Sequence, residues 1–301
     1  PGQPYKSTIF TYISSEENAN ITLDDLEDEN DLHKNLDISS LDKEMIRQWI
    51  LNGAKTYDEG VDTDLIEEFY DGQGIWSIDP LNAPEKPAPE EGFQIRIGPI
   101  FVPPSDIVSG NLTDVIYDVK HDLLNEENIQ FNRIVATIGS SHHFDIFEYV
   151  DTELAQEEEY GLIENKNHNN ARILCIFTQS TDYTLPAGSA MYWKENVILD
   201  LQTHIINYSD DFILAQDVYV NVYTQEAGTA NQELKFRNSG KMELNIPPNA
   251  DNFEEEFEIF IEDSSQPHIY VWGLACHTHE HGQDFDIWLR NPDGSKGEHL
   301  Y

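Results

Sequence analysis

The sequence predicts a mainly β protein: two antiparallel β-sandwiches, jelly-roll-like, preceded by a small helical region. Three observations predict it. Many short runs alternate apolar and polar residues with period two, the pattern of strands with one face buried. Gly, Pro, Asn and Asp separate those runs, as tight turns require. From Phe93 onward no helical pattern falls between them, which argues against a parallel sheet with crossover helices.

The elements follow in chain order. Residues 1–60 read as helical. Ser39 and Ser40 offer an N-cap, Ile46, Trp49 and Ile50 make one apolar face, and Asn52-Gly53 stops the helix. Residues 61–92 read as a linker: Pro80, Pro84, Pro87 and Pro89 stand among acids and extend the chain. Residues 93–208 form the expected first sandwich, with runs at 93–97, 114–119, 134–138, 144–149, 173–177 and 197–201. Residues 209–301 form the expected second one, incomplete at its C-terminus, with runs at 218–223, 241–246, 257–261, 268–272 and 285–289. No repeat of fixed period occurs.

Composition narrows the function. The chain has 301 residues, 17 Lys+Arg against 57 Asp+Glu, and a formal charge of −40. Such a surface repels nucleic acid and anionic membranes and suits a salt-rich medium or cationic partners. No run of 18 or more apolar residues exists, so no membrane span is expected. The two cysteines, Cys175 and Cys276, make no disulfide framework. Cys175 lies in an apolar run and reads as core. Cys276 reads as core too, with a bond to Cys175 or a metal-ligand role as the alternatives. The chain begins at Pro1 with no visible signal peptide, so processing or fragmentation is expected.

Three histidine phrases carry the chemistry: Ser141-His142-His143-Phe144, Leu201-Gln202-Thr203-His204 and Cys276-His277-Thr278-His279. Each adjoins an alternating run, so each belongs on or beside a strand. On a strand, residues i and i+2 share a face, so His277 and His279 present two imidazoles together. His142 and His143 would face opposite ways unless the strand ends, twists or bulges there. An all-histidine set suits copper or zinc better than magnesium or calcium.

In order and wording these phrases resemble the copper type II, ascorbate-dependent monooxygenases, the family of peptidylglycine α-hydroxylating and dopamine β-monooxygenases. The resemblance covers roughly residues 93–301, and the low cysteine count gives it a bacterial character. It implies two coppers in two sandwiches. His142, His143 and His204 would hold the electron-transfer copper, and His277 and His279 the copper that binds oxygen and carries the catalysis. An external one-electron donor such as ascorbate would reduce both, and an unactivated C–H bond would be hydroxylated. The family's methionine ligand would fall beyond Tyr301, while Met45, Met191 and Met242 all precede His277. The second site is therefore expected to be incomplete, unless His281, a partner chain or a missing segment completes it. His281 also reads as a surface turn residue before Gly282. Peptidylglycine members carry an Arg two positions before the His-x-His; Ala275 stands there, which argues against peptide amidation and leaves the small-molecule or peptide substrate open. Asn207 and Tyr208 could line the cleft. The resemblance implies an extracellular, cell-surface or periplasmic location. The alternatives are a non-catalytic copper-binding module, or a redox partner in a cytochrome fusion.

That last alternative comes from residues 46–54, which resemble the final helix of a bacterial c-type cytochrome domain, with residues 4–13 as the helix before it. No Cys-x-x-Cys-His is present. Haem is therefore not expected, and residues 1–60 read as a haemless remnant. His33, His121, His168, His268 and His299 have no metal-like context and read as ordinary solvated or capped histidines. Asn291-Pro292-Asp293-Gly294 reads as a tight turn, and the acidic runs as solvated loops.

Overall fold

Period-two runs need partner strands before they become sheet, and most of those before residue 226 find them. The computed structural model describes residues 1–14, 38–56, 60–237, 245–260, 270–274 and 282–301. Its helices are α1 (Thr8–Ser14), α2 (Ser40–Leu51), α3 (Thr63–Glu68) and α4 (Thr152–Glu157). Its strands are β1 (Gly74–Trp76), β2 (Gly92–Val102), β3 (Thr113–Asp122), β4 (Ile129–Thr137), β5 (Ser141–Tyr149), β6 (Leu162–Glu164) and β7 (Ala171–Phe177), then β8 (Thr181–Thr184), β9 (Ser189–Trp193), β10 (Ile198–Asn207), β11 (Ile213–Gln225), β12 (Gln232–Glu233), β13 (Trp288–Arg290) and β14 (Lys296–His299). The protein is mainly β, and its helical start is small. No helix among the described residues is long and apolar enough to cross a membrane.

The chain divides into two units, Pro1–Arg237 and Asn238–Tyr301. In the first, a five-stranded antiparallel sheet runs β6-β3-β10-β5-β7. A seven-stranded sheet is built on β11, which pairs with β2, β4 and β1, and on β4, which pairs with β8 and β9. Alternate residues of both sheets meet in one core: Ile95 and Ile97 of β2, Phe131 and Ile134 of β4 and Val218, Val220 and Val222 of β11 join Val119, Phe144, Ile146, Phe177, Leu199 and Leu201. Burying each large apolar side chain stabilises the unit by about 1.5–3 kcal/mol. Cys175 sits in this core as a free thiol, its pKa pushed up to about 12 by burial and then by Asp145.

Three expected boundaries move. The boundary between residues 208 and 209 falls in the connection from β10 to β11, and those strands lie in the two sheets of one sandwich. The valines of 218–222 complete the first core; they do not begin a second. Asn207 pins that corner. It is 3% exposed, and its amide nitrogen lies 2.9–3.1 Å from the carbonyls of Val102, Pro103 and Phe212, so it is a corner residue and does not line a cleft. Residues 61–92 are not simply a linker: α3 is capped by Asp62, and β1 joins β11 in the sheet. The proline stretch is tied down as well, through Gln94 to the Pro84 carbonyl and Asn221 to the Glu85 carbonyl. Residues 1–60 are expected as a separate helical unit, but their described parts, 1–14 and 38–56, pack on the sandwich. Tyr5 donates to the Gly98 carbonyl at 2.7 Å, Gln48 to that of Pro99 at 2.7 Å and Lys6 to that of Asp122 at 2.6 Å. Leu51 enters the common core.

The second unit shows, among its described residues, one two-stranded pairing, β13 with β14. The turn at Asn291–Gly294 closes it, with Gly294 at φ 88°. Residues 257–260 and 270–272 carry no strand, and Phe257, Phe260 and Tyr270 are exposed. A period-two pattern without a partner strand cannot bury its apolar face. Positions 241–244, 261–269 and 275–281 lie outside the described residues.

His121 departs from the solvated histidine expected. It faces the core side of β3, opposite Leu199, and is 6% exposed. Burial, with a smaller push from the Lys6 charge, holds its pKa well below the usual imidazole range. The unfolded chain takes up this proton near pH 6.5 and the fold resists it. The stability it gives is therefore present above that pH and is lost as pH falls, by at most about 1.4 kcal/mol per unit. His121→Leu should flatten the decline in melting temperature between pH 7 and pH 5 relative to the parent protein. Parallel declines in the two proteins would show that His121 takes up its proton in the folded state.

Candidate metal centre

The first two histidine phrases are brought together by strand pairing. β5 and β10 are neighbours, and their register sets His143 opposite His204. One step further along β10, Ile205 stands opposite Ser141. Two residues of β5 therefore oppose one of β10, and His142 is the extra residue of a β-bulge. The bulge removes the alternation that would send His142 and His143 to opposite faces. Ser141 braces it: its hydroxyl lies 2.9 Å from the His143 carbonyl, 3.1 Å from that of His204 and 2.7 Å from the Thr203 hydroxyl.

Three imidazoles gather as a result. Ring centroids are 5.0 Å apart for His142 and His204, 4.9 Å for His143 and His204, and 5.7 Å for His142 and His143. His143 and His204 are buried, and His142 is half-buried. Carboxylates stand beside two of the rings. His143 Nδ1 is 3.2 Å from Asp145 Oδ2, and His204 Nε2 is 2.6 Å from Asp114 Oδ1. A carboxylate hydrogen-bonded to one ring nitrogen, as Asp114 is to His204, fixes that ring's tautomer and orientation and makes the opposite nitrogen a better donor. The donor set, three imidazoles with carboxylate support, fits copper or zinc. Neutral imidazoles also serve copper in both oxidation states.

The third phrase lies outside the described residues, and with it His277, His279, His281, Cys276 and Ala275. Tyr208 is exposed. His299 pairs with Asp286 on the surface, as an ordinary solvated histidine does, and His33 and His268 also lie outside the described residues.

Sequence reasoning missed the carboxylates and a second polar group. Asp145 was findable, since it stands two residues after His143 and so on the same strand face. Asp114 is supplied by β3, whose pairing with β10 sets Ile116 against His204; nothing local signals it. His168, read as ordinary, sits 2.9 Å from Asp118 and 3.5 Å from Asp200.

A scan against protein-family models matches none to this chain, and a search of curated proteins finds no relative. The chemistry therefore has to be argued from the site itself.

Proposed function

We propose that the chain is a copper-dependent monooxygenase, or the larger piece of one, acting outside the cytoplasm on the cell surface, in the periplasm or in the medium. One observation carries the reading: a β-bulge sets His142 beside His143 and brings both rings within 6 Å of His204. In this reading those three residues hold the electron-transfer copper. His277 and His279 hold the oxygen-binding copper, with His281 or a further segment as its third donor. When bound, copper supplies one-electron transfer and dioxygen activation for hydroxylating an unactivated C–H bond, with a one-electron reductant such as ascorbate.

The chain's own residues do the positioning. Asp114 orients the His204 ring and Asp145 sets a negative charge beside His143, so the donor atoms stay in place whichever charge the metal carries. Ser141 and Thr203 hold the bulge, and the core under Phe144 and Ile205 keeps β5 and β10 in register. A site that moves little between oxidation states exchanges electrons with little reorganisation.

Protein purified without chelators should contain copper, at one to two equivalents per chain. Its Cu(II) paramagnetic resonance signal should vanish on adding ascorbate under nitrogen. His277→Ala should abolish oxygen-dependent hydroxylation and leave the copper at His142, His143 and His204. Zinc alone in the protein, or a Cu(II) signal that ascorbate leaves unchanged, would overturn the assignment.

A further inference from the structure

The five-stranded sheet carries a second polar group on the face that bears the three imidazoles. Along β10, Asp200, Gln202 and His204 share that face, and Asp200 lies about 13 Å from His204 along the strand. Register sets Gln202 between two acids: it pairs with Asp118 on β3 and with Asp145 on β5. Asp118 is thus a diagonal neighbour of Asp200, and both are completely buried. Gln202 donates to Asp118 Oδ1 at 3.0 Å, and Tyr149 to Asp200 Oδ2 at 3.0 Å.

His168 reaches this pair from the connection between β6 and β7. Its ring lies flat on Phe147, with centroids 3.9 Å apart and planes 5° from parallel, and Phe147 is the register partner of Asp200. The stacking aims the ring edge at the carboxylates. His168 Nε2 is 2.9 Å from Asp118 Oδ1 and 3.5 Å from Asp200 Oδ2, yet it makes no hydrogen bond. Asp200 Oδ1 is buried and makes none either. The three residues each offer a donor atom, all within 4.8 Å of one another. Two buried carboxylates and an imidazole nitrogen at ion-pair distance thus converge within the span of one coordination sphere.

We propose that Asp118, His168 and Asp200 form a divalent-cation site separate from the three-histidine centre, with Lys166 as its built-in competing cation. Two carboxylates and one imidazole make a harder donor set than three imidazoles, suited to Mn²⁺, Fe²⁺ or Zn²⁺. Two buried carboxylates in one place also need counter-charge. Lys166 supplies part of it, with Nζ 3.0 Å from Asp200 Oδ2. The same ammonium touches the Tyr149 hydroxyl and lies 3.5 Å from Glu158 Oε2, so it has a second carboxylate to turn to when a cation enters. The proposal stands apart from the copper reading, because it shares no ligand with it.

Manganese separates the two sites, since it favours carboxylate donors. Full-length protein stripped with chelator is titrated with Mn²⁺ alone, and free Mn²⁺ is followed by paramagnetic resonance. Salt at 0.3 M screens the acidic surface. The parent protein should bind one equivalent tightly. Asp200→Asn and His168→Ala, each checked for folding by circular dichroism and thermal melting, should weaken that binding by at least about tenfold. Lys166→Met should tighten it by at least about tenfold, because a unit positive charge a few ångströms away is removed. His142→Ala should leave it unchanged. A purely structural ion cluster predicts no gain in binding from Lys166→Met. The proposal is overturned if the parent protein binds no Mn²⁺ tightly, if Lys166→Met gains nothing, or if His142→Ala abolishes the binding.

Discussion

His204→Ala is expected to lower copper affinity by more than about 100-fold while leaving the sandwich folded. His204 is the ring closest to both others, at 5.0 and 4.9 Å, so its loss leaves His142 and His143 without a third imidazole between them. Changes to groups that merely orient a ligand cost about 10–100-fold in metal affinity, and removal of the ligand itself should exceed that range. The fold should tolerate the change. His204 lies on the outer face of β10, and its neighbours Thr203 and Ile205 stay in place beneath it. Asp114 has its side chain half exposed and returns to water at little cost, so about 1–2 kcal/mol of stability is at stake. Asp114→Asn is the internal comparison: it keeps the ring, removes the carboxylate, and should fall inside the 10–100-fold range. Competition against a chelator of known copper affinity measures both variants, and thermal melting reports the fold. Undiminished copper binding by His204→Ala would sink the three-histidine reading.

The mainly β class was legible because period-two alternation is a local signal, and local signals survive without knowledge of partners. The histidine cluster was partly legible for the same reason. The strand context of His142, His143 and His204 could be read, and so could the condition for the first two to act together, a bulge. That the bulge forms is a matter of register between β5 and β10, set by Phe144, Ile146, Leu201 and Ile205 packing on the inner face. Long-range pairing also decided what was misread. The valines of β11 have the pattern of any half-buried strand, and only their pairing with β2 and β4 assigns them to the first sandwich. The Asp118, His168 and Asp200 group had no signal at all. Its members come from β3, a loop and β10, and His168 owes its position to Phe147 across the sheet.

Asp217→Ala is expected to cost about 3–5 kcal/mol, the range for removing one partner of a buried ion pair. Asp217 is 1% exposed, and its Oδ1 accepts from Arg96 Nε at 3.1 Å. The guanidinium lies between two rings, 4.2 Å from the centre of Tyr5 and 4.9 Å from that of Tyr219. Tyr5 belongs to the N-terminal segment, and Arg96 and Tyr219 face each other across β2 and β11. Tyr5 thus ties the N-terminal segment to this pair, beside the hydrogen bonds of Lys6 and Gln48 to the sandwich. Without Asp217, Arg96 loses this carboxylate while staying largely out of water, and weakening the counter-charge of a buried cation is the costly step. At about 2–4 °C per kcal/mol for a unit of this size, the melting temperature should fall by about 10 °C. Arg96→Met combined with Asp217→Leu removes both charges and fills similar volume, and should recover most of that loss. Thermal melting of the three proteins side by side decides it. If the double variant melts no higher than Asp217→Ala, the loss comes from the shape of the site rather than from the missing counter-charge.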